Sequence, residues 1–186
     1  MKKVLLVATA LMIGGMFNLV KAQDNHDDVH TINFTIPSVT LLDIESAGST
    51  TLTFTATAPT EAGDSLTFPS TDNSLWLNYT SIKATSTTTR KITAVLDIAA
   101  PANTTLKVTA ATATTGFGGR GTTAGQVSLS TTAASVITGI TSCYTLDGDS
   151  KGSQLTYQWN RTGTANYGNL NADTDPVEVT YTLQDN

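Results

Sequence analysis

Thr31-Ile32-Asn33-Phe34-Thr35-Ile36-Pro37-Ser38-Val39-Thr40-Leu41-Leu42-Asp43-Ile44 decides how the rest of the chain is read. Ile32, Phe34 and Ile36 alternate with Asn33 and Thr35, so a β-strand here has one apolar and one polar face. Pro37 has no N–H to give to a ladder and interrupts the pairing. The pattern predicts a strand over 31–36 that needs a sheet. A strand so near the start of the exported chain either completes its own domain or is lent to a neighbour, which makes Ile32, Phe34 and Ile36 the candidate donor or edge-strand residues.

Upstream, residues 1–22 read as a secretory signal peptide: Lys2 and Lys3, an apolar run over 4–16, and Val20 and Ala22 at the small-residue positions before Gln23. The run is too short for a membrane span, so no span is expected after processing. A polar leader over 23–30 follows, and 31–186 is of a size to form a single domain with a real core. The formal net charge is −5, and removal of Lys2, Lys3 and Lys21 with the signal takes it to −8. An acidic chain without a basic cluster repels phosphate backbones, which argues against nucleic acid and anionic lipid as partners. Cys143 is the one cysteine, so no internal disulfide is possible and the thiol is expected to lie buried on a strand. Export places the chain in the periplasm, at the cell surface or outside the cell.

Thr, Val and Ile are frequent, Lys and Glu scarce, and no window after residue 22 holds a helical apolar period. Strands are predicted over 50–57, with Leu52, Phe54 and Ala56 on one face, and over 65–68. Leu75, Leu77 and Tyr79 alternate with Trp76, Asn78 and Thr80, and large side chains on both faces predict a central strand. Residues 90–98 and 105–111, joined by Pro101-Ala102-Asn103-Thr104, read as an antiparallel hairpin. A Gly-rich loop over 112–125 precedes strands at 126–130, 135–140, 154–160 and 177–183. This succession predicts an all-β fold, a two-sheet antiparallel β-sandwich with Ig-like Greek-key connections.

Motifs that suggest chemistry each meet a plainer explanation. Gly116-Phe117-Gly118-Gly119-Arg120-Gly121 satisfies a dinucleotide-binding pattern, but no helix follows to hold a phosphate, and a flexible loop is expected. Asp147-Gly148-Asp149-Ser150-Lys151-Gly152 starts like a calcium loop, yet Lys151 stands where an oxygen ligand belongs, and a turn is expected. His26 and His30, with Asp27 and Asp28, sit on the polar leader and read as solvated. Neither histidine is near a nucleophile motif, so the chain reads as a non-enzyme with no catalytic residues, no metal and no cofactor. Trp76, Trp159 and Tyr167 are candidate glycan-stacking residues, although their spacing suits core aromatics equally. Asp64-Ser65-Leu66 resembles an O-glycosylation sequon of the Bacteroidota.

Ile32 to Ile36, Leu41-Leu42-Asp43-Ile44, Trp76-Leu77-Asn78-Tyr79, Arg90 to Ala94, Leu155-Thr156-Tyr157 and Val179 to Leu183 together resemble secreted β-sandwich proteins of the Bacteroidota. Those are similar in turn to disulfide-free chaperone-usher pilin subunits and to spore-coat-U-type domains. The resemblance implies an incomplete Ig-like fold completed by the N-terminal strand of another copy or a related subunit, with a periplasmic chaperone as a further partner. The expected function is a structural or adhesive surface subunit, a fimbrial one included. A self-complete carbohydrate-binding module built on Trp76, Trp159 and Tyr167 is the alternative.

Overall fold

The computed structural model describes residues 27–186, and of 164–166 the backbone alone. The expected signal peptide over 1–22 and the first part of the leader, His26 included, lie outside the described residues. The chain divides into two units, Met1–Thr35 and Ile36–Asn186. In the first, residues 27–35 are exposed and belong to no strand.

The second unit is a sandwich of eleven strands and one short 3-10 helix, Thr164–Asn169. The larger sheet holds β1 (Val39–Ser46), β2 (Asp72–Ile82), β4 (Thr104–Ala110), β5 (Phe117–Gly118), β7 (Gln126–Ser128), β9 (Cys143–Tyr144) and β10 (Ser153–Arg161). The smaller holds β3 (Arg90–Leu96), β6 (Thr122–Thr123), β8 (Ala134–Ile140) and β11 (Val179–Asp185), in the order β11-β3-β8-β6. All pairings are antiparallel. The all-β sandwich expected from the strand spacing is the fold observed. Among the described residues no helix is long and apolar enough to cross a membrane.

β2 is central, as its two large-residue faces predict: β1 runs along one edge, and β10 and β9 share the other. Its Leu75, Leu77 and Tyr79 point into the core with Val108 and Leu155, and meet Ile92, Ala94, Ile137 and Leu183 of the facing sheet. Each buried aliphatic side chain there contributes about 1.5–3 kcal/mol. Cys143 is buried and free, as expected for a lone thiol, and burial pushes its thiol pKa up against the opposing pull of Arg120.

Four expectations about strands are corrected. Residues 31–36 form no strand; the first strand begins only at Val39, beyond Pro37. The hairpin expected from 90–98 and 105–111 does not form, because β3 pairs with β11 and β8 while β4 pairs with β10 and β7 in the other sheet. Their apolar faces meet across the core instead of lying side by side, and alternation alone is the same in both arrangements. Residues 50–57 belong to no sheet strand; only Thr57 is paired, in an isolated bridge to Thr67. That bridge is also all that forms in the expected strand over 65–68.

The Gly-rich loop is packed, not loose. It supplies β5, which pairs with β9, and β6, which pairs with β8. Gly116 has φ +76°, and a Cβ there would stand 1.9 Å from the Tyr144 carbonyl oxygen, so only glycine fits. Arg120 closes the loop from inside, donating through Nη1 to the Thr115 and Gly116 carbonyls, while its own carbonyl accepts from the Tyr79 hydroxyl at 2.6 Å.

Candidate functional site

Among the described residues β1 pairs only with β2, and β11 only with β3, so each is an edge strand with one side of its ladder unmade there. The two edges are clasped at one end by Arg90, which is 5 % exposed. Its Nε donates to Asp185 Oδ1 at 2.9 Å, Nη1 to the Val39 carbonyl and to Ser81 Oγ, and Nη2 to Ser38 Oγ at 3.2 Å. Ser38 Oγ in turn donates to the Ile82 carbonyl at 3.0 Å. The clasp therefore joins the start of β1 to the end of β11.

Toward the other end of both strands the sheets leave a groove of about 850 Å³. Ile44, Leu75, Leu106 and Trp159 of the larger sheet line one wall, and Val179 and Tyr181 of β11 the other. Residues Thr50 to Phe54 also line it, with Leu52 and Phe54 half-buried against the core. Within it the Tyr157 and Tyr181 hydroxyls share a 2.7 Å hydrogen bond that ties sheet to sheet. Burial pushes the Tyr157 phenol up to about 12, partly offset by that bond. Burial raises Tyr181 further, with Tyr157 adding to the effect. Both phenols hold their protons at neutral pH, so the tie is neutral; around it the lining is mixed, with Ile44, Leu52, Phe54, Leu75, Leu106 and Val179 beside Asp173, Asp175 and Glu178.

The candidate donor residues are exposed large apolar side chains: Ile32 is 61 %, Phe34 87 % and Ile36 82 % exposed. The candidate glycan residues do not form one platform. Trp159 lies on the inner face of the larger sheet, edge-on to Phe68 at 4.8 Å, with Nε1 donating to Thr104 Oγ1 at 2.9 Å. Trp76 lies on the outer face, in register with Glu45 and Gln154. Tyr167 sits on the 3-10 helix, where its hydroxyl accepts from the Leu66 N–H at 3.2 Å and the Arg161 guanidinium lies 5.3 Å from its ring centre.

One cluster was not legible in the sequence. The turn at 147–152 brings Asp147 to Asp43 and Glu45 of β1, with ligand atoms within 4.8 Å of one another. Desolvation, then repulsion from Asp43 and Asp147, holds the Glu45 carboxyl above its ordinary pKa. Asn78 lies under the same turn, its Nδ2 donating to the Gly148 carbonyl at 2.9 Å. Its Oδ1 has no partner and faces Gly152, where a Cβ would stand 2.6 Å from it. Nothing in the local sequence at 43–45 signals its meeting with residues a hundred positions away.

No family model matches the chain, and no curated protein or solved structure is similar to it.

Proposed function

We propose that the chain is an exported, non-enzymatic β-sandwich that serves as a structural or adhesive cell-surface subunit, a fimbrial one included, and that its copies link by strand addition. The observation that carries this reading is the exposed alternation of Ile32, Phe34 and Ile36 in a chain whose sandwich leaves one side of β1 and of β11 unmade beside a groove with apolar side chains on its walls. Side chains of this kind gain only from burial, and unmade ladders gain only from another strand.

The dimensions agree. Six extended residues span about 20 Å, close to the length of a seven-residue edge such as β11. Burying two isoleucines and a phenylalanine contributes about 6 kcal/mol, and five or so ladder hydrogen bonds contribute about 1 kcal/mol each. Association costs about 4–15 kcal/mol, so a lasting link needs both terms.

Pairing of 31–36 back onto β1 through a two-residue reversal at Pro37 and Ser38 is disfavoured. Such turns require φ > 0 at their first position, and proline is fixed near −65°. The clasp on Ser38 and Val39 holds that junction further. These features favour donation to a second copy. A periplasmic chaperone would hold the groove before assembly, and the periplasm or cell surface is where assembly would take place.

Placement of Trp76 and Trp159 on opposite faces of one sheet favours assembly over a glycan-binding module.

The test is assembly of the purified full-length chain. The expected result is multimers that survive SDS without heating, and their loss in the double variant Ile32→Asp, Phe34→Asp. A wild-type chain that stays monomeric at high concentration and refolds cooperatively would contradict the reading.

A further inference from the structure

Residues 51–56 repeat, inside the sandwich, the pattern of the exposed arm. Leu52, Phe54 and Ala56 are half-buried while Thr51, Thr53 and Thr55 are exposed. The segment shares the alternating burial of a strand but not its hydrogen bonds. Only Thr57, beyond the groove, exchanges backbone bonds with a neighbour, giving its N–H to the Thr67 carbonyl at 2.8 Å and accepting from the Thr67 N–H at 3.0 Å. Residues 52–56 make no backbone hydrogen bond to β1 or β11, although they line the groove at the ends of those two edges. Both flanks, 47–50 and 58–65, are exposed and carry no strand of a sheet, so the bridge at Thr57 is the nearest backbone tie.

A segment that walls a groove with its side chains and leaves the ladder unmade holds its place by half of the available interactions. A strand that supplies both side chains and peptide groups would compete it out. We infer that residues 50–56 are a built-in placeholder, covering the groove until residues 31–36 of a second copy displace them. This rests on the strand-addition reading and adds a regulatory step to it: the groove is never bare, and the rate of linking is set by how readily the placeholder lifts.

The experiment uses the full-length chain carrying Ile32→Asp and Phe34→Asp, which cannot donate its own arm, and a synthetic peptide of residues 31–38 as the probe. Saturating peptide is expected to slow hydrogen exchange along Val179–Asp185 and to raise chymotrypsin cleavage after Phe54 about tenfold, as a local opening should. Cleavage after the exposed Phe117 serves as the reference and stays constant. Adding Thr67→Pro removes the N–H that holds Thr57 and leaves the groove walls intact, so peptide uptake should speed up about tenfold. If this variant fails to fold, Tyr167→Phe, which removes the hydroxyl partner of the Leu66 N–H, should act in the same direction more weakly. Protection of β11 with no change at Phe54 would overturn the placeholder and leave strand addition standing. No protection in any variant would overturn both.

Discussion

Ile32, Phe34 and Ile36 alternate as regularly as Leu75, Leu77 and Tyr79, yet the first three are 61, 87 and 82 % exposed and the second three 5, 0 and 3 %. The difference lies in what flanks each run. β2 is reached on one edge by β1 and on the other by β10 and β9, so its inward side chains have a facing sheet and its peptides have ladders on both sides. The arm is followed by Pro37 and by a junction tied down through Ser38, and among the described residues it forms no strand. Alternation records competence to be a strand. Partners are decided by the rest of the chain.

The sharpest way to break this comparison is to shorten one apolar side chain in each run. Leu77→Ala should cost about 3–4 kcal/mol in denaturant unfolding, since it opens a cavity in a fully enclosed site. Phe34→Ala should change the stability of the monomer by less than about 0.5 kcal/mol, as for other exposed positions, while removing assembly. A Phe34→Ala monomer as damaged as Leu77→Ala would place that ring in the protein's own core.

A smaller effect tests the groove wall. Tyr181→Phe leaves the Tyr157 hydroxyl without its partner and should cost about 1–2 kcal/mol. The same pair fixes a pH dependence. Their folded-state pKa values are raised above the unfolded value near 10, so their contribution is complete below pH 10 and is lost as pH rises through about 12. Tyr79, pushed up to about 12 mainly by burial, adds to this loss. Alkaline unfolding followed by tyrosinate absorbance should begin above pH 10, with a shallower slope in Tyr181→Phe.

The sandwich itself was legible because short alternating runs separated by turn residues admit few other solutions, and β2, β8 and β10 fall where alternation places them. Pairing was less legible. The runs at β3 and β4 are near in sequence and similarly patterned, which suggests a hairpin, but the bend after Leu96 sends them into opposite sheets. Gly116 to Gly121 reads as loose because glycine favours both mobile loops and close backbone contacts. Only the approach to residues 138–145 shows which applies. The groove was not legible at all, since Ile44, Leu106, Trp159 and Tyr181 come from four strands spread over the chain. The alternation of Ile32, Phe34 and Ile36 was legible, but the strand it suggests does not form in the described residues.

The most direct measurement is cross-linking between copies. In a Cys143→Ala background, chains carrying Phe34→Cys are mixed with chains carrying Val177→Cys, at the groove end of β11, and oxidised under mild conditions. The account predicts a mixed disulfide between the two kinds of chain, found by mass spectrometry and competed away by excess peptide of residues 31–38. Formation of homodisulfides alone, or a mixed product indifferent to the peptide, would contradict it.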